Sequence, residues 1–167
     1  MIVWEVDMKA GNSRILLSKV LQAGALAIAL IAFPLASVPV RAGLHVLVAR
    51  NDIGGRIDRR AELLDHLRAR GDRVEIRGHY CLSACTMYLG AEDVCIEPDN
   101  VYGFHCPSFW GLALNDASFD YWSRVVASYY PDGLRQWYMQ VARHRVNGHY
   151  RVSGRELIGL GSQQCSD

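Results

Sequence analysis

Gly78-His79-Tyr80-Cys81-Leu82-Ser83-Ala84-Cys85-Thr86-Met87-Tyr88-Leu89 reads as a turn that feeds a short apolar helix, with Ser83 at the junction. A serine at a strand-to-helix turn presents its hydroxyl outward while the next backbone amides point at the same spot, the geometry that covalent acyl chemistry uses. The local sequence is not the G-x-S-x-G elbow, and a serine ahead of an apolar run is also an ordinary helix N-cap. Residues 84–91 are apolar on nearly all faces, as a helix buried under a sheet is.

Upstream, residues 44–49 form a β-like run that stops at Asn51-Asp52, and Gly54-Gly55 follow at once. Ile57, Ala61, Leu64 and Leu67 recur at steps of three and four, which predicts a helix over 56–70 with Gly71 as its C-cap. Val74-Glu75-Ile76-Arg77 then reads as a strand closed by Gly78. Strand, glycine loop, helix and strand make a right-handed crossover, and the fold class that follows is α/β, a small parallel sheet with flanking helices.

Downstream, Val94-Cys95-Ile96-Glu97 and Val101-Tyr102-Gly103-Phe104 are short strands separated by Pro98-Asp99-Asn100, which places His105 at a strand end. Residues 108–115 read as a loop or lid carrying Phe109, Trp110 and Leu112. Ser118 is suited to cap a helix to Tyr130, Pro131-Asp132-Gly133 breaks it, and residues 134–145 form the next helix. Ser153 and Glu156 have capping-box spacing on a short final helix.

Asp52-Ile53-Gly54-Gly55, Ser83 at its turn, and Tyr102-Gly103-Phe104-His105-Cys106-Pro107 occur in an order that resembles the ClpP/crotonase superfamily, in its ClpP-like serine peptidase branch. The resemblance covers residues 44–161. It implies Ser83 as nucleophile, His105 as general base, and backbone amides of Gly54 or Gly55 and of Ala84 as oxyanion donors. It also implies an orienting aspartate near residues 143–149, where Arg143-His144-Arg145-Val146-Asn147-Gly148-His149 holds no carboxylate. Asn147 is one substitute, and Asp132, Asp120 and Asp116 are others that reach in from elsewhere. Loss of an orienting aspartate costs about 10⁴ in rate in trypsin-type chemistry, so activity depends on this member. Each residue also has an ordinary structural reading: Ser83 as a cap, His105 as a buried hydrogen-bonded histidine, and Gly54-Gly55 as a tight turn.

Residues 20–40 carry no charge and follow Lys9, Arg14 and Lys19, the pattern of a signal peptide. Val40-Arg41-Ala42 is an imperfect cleavage site, and the same stretch is long enough to serve as a retained membrane anchor. The expected organisation is a signal peptide or anchor over 1–42 and a ClpP-like domain over 43–167, in a periplasmic or other extracytoplasmic location. From Gly43 onward there are 14 Arg and no Lys against 15 Asp and Glu, a near-neutral balance that argues against nucleic-acid binding.

Five cysteines, Cys81, Cys85, Cys95, Cys106 and Cys165, allow up to two disulfides with one thiol left over, in pairings the sequence leaves open. His79, Cys81, Cys85, His105 and Cys106 lack the paired knuckles of a structural zinc site, and neither metal nor cofactor is expected. The function expected is a serine peptidase-like hydrolase acting on a peptide or protein substrate, with homo-oligomerisation and membrane association through residues 20–40 as the other contacts. The alternative is a non-catalytic binding or assembly protein of the same fold. Crotonase-type acyl-CoA chemistry is a distant third, because no basic cluster for the nucleotide is evident.

Overall fold

The computed structural model describes residues 45–166; the signal or anchor segment expected over 1–42 lies outside them. Strand β1 (Val46–Asp52) leads through the glycine pair into helix α1 (Ile57–Arg70), which returns as the ten-residue strand β2 (Arg73–Leu82). Helix α1 buries Leu64 and Leu67 and stops on Gly71 in the left-handed region at φ 67°, with the Gly71 N–H donating to the Arg68 carbonyl.

Strand β2 runs on through Gly78 to Leu82, where a turn was expected. Arg50 pairs with Arg77 but Asp52 pairs with Cys81, so β2 carries extra residues opposite β1. Gly78 at φ 97° and Asn51 at φ 52° form this bulge, and Asn51 Oδ1 accepts the His79 N–H at 2.7 Å. The glycine bends a continuing strand. The chain turns instead between Leu82 and Ser83.

Ser83–Gly90 then forms a 3₁₀ segment in place of the expected α-helix. Strands β3 (Asp93–Ile96) and β4 (Val101–Phe104) follow. The expected loop over 108–115 contains a small hairpin of β5 (Ser108–Phe109) and β6 (Leu112–Ala113). Helix α2 (Asp116–Ser128) begins earlier than predicted, because Asn115 and not Ser118 is its cap; Asn115 Oδ1 accepts the Ser118 N–H at 2.9 Å. Helix α3 (Asp132–Gln140), a 3₁₀ turn (Ala142–His144), strand β7 (Tyr150–Ser153) and helix α4 (Gly154–Gly159) complete the fold, with the Ser153–Glu156 capping box formed.

The class is α/β, and the sheet is mixed. One edge of β2 holds β1; the other holds β3 over residues 73–76 and β4 over residues 80–82, all in parallel. Strand β7 pairs with β4 antiparallel, a strand the sequence reading left inside the tail. Its residues Tyr150 and Arg151 are exposed, so no apolar run marks it.

Paired residues share a face of the sheet. Leu47, Val74 and Val94 lie on one face, joined by Ala49, Ile76 and Ile96, and these face the helices. Val46, Val48, Arg73, Glu75, Arg77 and Asp93 lie on the other, where Arg73 bridges Glu75 and Asp93 and Arg77 bridges Glu75 and Glu97. Exposed ion pairs contribute up to about 1 kcal/mol each, whereas truncating a buried Ile or Leu costs about 2–5 kcal/mol. The helix-covered face therefore carries the stability.

Cys95, opposite Glu75, bonds to Cys165, and Cys81 bonds to Cys85. The C-terminal segment lies along β3: the Ile96 N–H donates to the Gln163 carbonyl and the Cys165 N–H to the Ile96 carbonyl. Two disulfides fit a chain folded in an oxidising, extracytoplasmic compartment. Among the described residues, no helix is long and apolar enough to cross a membrane. Because Cys95 and Cys165 are 70 residues apart, loop entropy assigns their bridge about 4 kcal/mol. The double substitution Cys95→Ala with Cys165→Ala is expected to lose most of that in urea unfolding, and a loss below about 1 kcal/mol would contradict it.

Candidate functional site

Leu82 ends β2 in extended conformation, and the next residue, Ser83, is at φ 54°. A β-carbon in the left-handed region costs about 1–2 kcal/mol, so the surrounding structure must hold Ser83 there. Leu82 occupies the cap position of the 3₁₀ segment, and Ser83 does not act as its N-cap. The Ser83 carbonyl accepts from Thr86 Oγ1 at 2.7 Å, and Thr86 Oγ1 lies 2.6 Å from the Tyr130 hydroxyl. A carbonyl only accepts, so Thr86 donates to Ser83 and Tyr130 donates to Thr86. Both side chains are buried, and this hydroxyl chain fixes the turn from beneath.

The glycine loop fixes it from the side. A Cβ on Gly54 would stand 2.6 Å from Ser83 Cβ, 2.8 Å from the Leu82 carbonyl and 2.9 Å from the Ala84 nitrogen. Only glycine permits this approach. Asp52 Oδ1 accepts the Gly54 N–H at 2.7 Å, and Arg60 pairs with Asp52 Oδ2 at 2.7 Å while reaching the Gly54 carbonyl at 3.3 Å. The Arg60 guanidinium lies 4.2 Å above the Tyr88 ring, which ties the clamp to the 3₁₀ segment.

This bonding corrects one expected donor. The Gly54 N–H is engaged by Asp52 and has nothing left for an oxyanion. Gly55, at φ 126°, lines the cavity beside Ser83, and its N–H makes no hydrogen bond among the described residues. The Ala84 N–H lies in the first turn of the 3₁₀ segment, ahead of any intrahelical acceptor.

His105 follows β4 and lines the same cavity as Ser83, a space of about 730 Å³. The buried Tyr138 hydroxyl donates to the His105 carbonyl at 3.3 Å, and the Cys106 N–H donates to the Arg145 carbonyl at 3.1 Å. The ring of His149 meets that of His105 edge to face, with centroids 4.8 Å apart. Gly103 makes room for His149, since a Cβ there would stand 2.5 Å from Leu82 Cδ2 and 3.0 Å from His149 Cγ. Burial, then the neighbouring His149, lowers the pKa of His105 against a smaller opposing effect of the Cys106 backbone. Burial first, then Arg151, lowers that of His149. Both imidazoles therefore take up a proton less readily than an ordinary histidine.

No hydrogen bond joins Ser83 to the His105 ring, and among the described residues no carboxylate or carboxamide hydrogen-bonds that ring. Asp132, in the first turn of α3, has its side chain 97% exposed beside Arg135, because the Pro131 break directs this end of the helix to solvent. Asn147 is exposed ahead of β7 and lines neither cavity near His105. Asp120 pairs with Arg124 and Arg143, and Asp116 begins α2. The residue that does reach the ring is His149, inside the stretch where an orienting group is expected but not among the candidates drawn from it. The Asp52–Arg60 clamp was equally unread, although Asp52 adjoins the glycine pair and Arg60 lies on the first turn of α1.

Cys81 and Cys85 are bonded to each other on either side of Ser83, so neither is available as a thiolate. Cys106 is a free, buried thiol, and burial raises its pKa. Compared with known protein families, curated proteins and solved structures, the chain matches none.

The left-handed turn makes a stability prediction. Ser83→Gly is expected to be about 1 kcal/mol more stable than Ser83→Ala, the αL cost relieved less the extra chain entropy of glycine. Equal urea midpoints for the two variants would show that residue 83 is unstrained.

Proposed function

We propose that the chain is a serine hydrolase of ClpP-like type, acting on peptide bonds in the periplasm or another extracytoplasmic space. The observation that carries the reading is Ser83, held at φ 54° in the lining of a cavity that His105 also lines, with the unengaged amide of Gly55 beside it. A hydroxyl raised on a strained strand-to-helix turn is what a serine nucleophile requires.

In this reading Ser83 Oγ attacks the substrate carbonyl as His105 takes its proton. The amides of Gly55 and Ala84 stabilise the developing oxyanion, and the Asp52–Arg60 clamp keeps the loop that carries Gly55 in register. His105 returns the proton to the leaving amine, and water, deprotonated by the same imidazole, releases the acyl group. The substrate draws Ser83 and His105 into hydrogen-bond distance, since such contacts often tighten only on binding. His149 stands where the orienting residue would act and confines the imidazole by packing. Arg56 and Asp58, paired with each other, are the charged residues on the cavity wall, and Phe109, Trp110, Trp122 and Tyr130 give it an aromatic lining.

A second reading is a non-catalytic binding protein, favoured by the missing carboxylate at His105. A fluorophosphonate probe separates the two. Labelling of the intact chain that disappears in Ser83→Ala supports the hydrolase; folded wild-type protein that takes up no Ser83-dependent label is the binding protein.

The acid limb adds a pH test. The charged form of His105 is disfavoured in the fold, so the neutral base persists as pH falls through the ordinary histidine value of about 6.5. The midpoint of Ser83-dependent labelling is expected below that pH. The same sign governs stability: the contribution of neutral His105 and His149 is complete above about pH 6.5 and is lost as pH falls through their lowered folded values. A labelling midpoint above 7 would exclude a desolvated His105 as the base.

A further inference from the structure

A second cavity of about 320 Å³ adjoins the first, sharing His105, Cys106 and Leu114 with it, and its chemistry differs. Arg143, His144, His149 and His105 line it with Phe119 and Leu114, and among the described residues no Asp or Glu does. Arg143 is the central group. Its side chain is 15% exposed, its guanidinium stacks 4.8 Å from the Phe119 ring, and one amino group donates to Asp120 Oδ1 at 3.0 Å and approaches Met139 Sδ at 3.8 Å. Asp120 is shared with Arg124, so two arginines meet one carboxylate and a positive charge is left over. The Arg143 Nε is buried with no hydrogen-bond partner. An unpaired buried guanidinium N–H is costly, and a carboxylate is the acceptor that its planar fork fits best.

We propose that this cavity is a carboxylate-binding subsite, and that it receives the leaving-group side of the substrate. The position follows from the reaction: a serine attacking from the larger cavity leaves the acyl portion there, while the base that protonates the leaving amine faces the portion that departs. His105 borders both spaces, so the departing portion lies toward Arg143. The preferred bond is then one whose amine side carries an anion, either the α-carboxylate of a chain end or an acidic side chain. Phe119 and Leu114 supply apolar contact for the rest of that residue. The leaving-group position rests on the Ser83–His105 hydrolase reading; carboxylate binding at Arg143 does not.

The test is calorimetric titration of the intact chain carrying Ser83→Ala, so that no probe is turned over. Three probes are compared: N-acetyl-Ala-Ala with a free C-terminal carboxylate, the same peptide as its C-terminal amide, and N-acetyl-Ala-Asp amide. One or both acids are expected to bind at least about tenfold more tightly than the neutral amide, as a charge-assisted bond to a desolvated arginine does. Which acid wins identifies the source of the carboxylate. The preference should shrink with added salt, disappear in Arg143→Met and survive in part in Arg143→Lys. Equal affinity for all three peptides, or none that binds, overturns the proposal, as does a preference that persists in folded Arg143→Met. If Arg143→Met does not fold, the acid-to-amide comparison in the Arg143 protein decides alone. Absence of Ser83-dependent fluorophosphonate labelling in the folded wild-type chain, with the acid preference intact in Ser83→Ala, would remove the hydrolase and leave the subsite standing.

Discussion

The constraint on which the site depends is a close approach of two chain segments: the Gly54 α-carbon lies so near Leu82, Ser83 and Ala84 that no side chain fits between them. Two crossover connections meet there, the loop after β1 and the turn after β2. Their contact brings the amides of Gly55 and Ala84 to one end of the sheet. The Asp52–Arg60 pair keeps the glycine loop from relaxing away, and the Tyr130–Thr86 chain keeps the Ser83 turn from relaxing downward. Such a turn persists only because several contacts over-determine it.

The surroundings of His105 are less complete. Its backbone is held by Tyr138 and by the pairing of Cys106 with Arg145, and its ring by packing against His149. Among the described residues no carboxylate or carboxamide orients that imidazole, which leaves it freer than in a complete triad. That freedom is consistent with weak turnover or with none, and it makes the two readings differ in one residue's hydrogen bonding while sharing every other contact.

The sequence made part of this legible. Helix α1 was readable because Ile57, Ala61, Leu64 and Leu67 face one way and Gly71 ends the run; local physics determines both. Gly78 misled because a glycine between strand-like residues marks a turn or a bulge equally well, and only the register against β1 distinguishes them. The 3₁₀ form of residues 83–90 escaped notice because apolar residues on every face carry no period. Strand β7 depends on long-range pairing with β4, which no local pattern encodes. At the site, chain order was enough to bring Ser83 and His105 to one cavity, since both end adjacent parallel strands. The partner of His105, His149, is carried to it by the antiparallel strand that begins at the next residue, and its placement was hidden with that strand.

Where the ends of the sheet come from bears on when the domain is finished. Strand β4 waits for β7, and Cys95 waits for Cys165, so both are completed only by residues that lie well after them in the chain. A thiol at position 95 stays unpaired until residue 165 reaches it, while cysteines 81, 85 and 106 are all nearer in sequence. Correct oxidation is thus a question of competition: the short bridge around Ser83 takes two thiols out of play, and burial of Cys106 in the fold withdraws the third, leaving Cys95 to its distant partner.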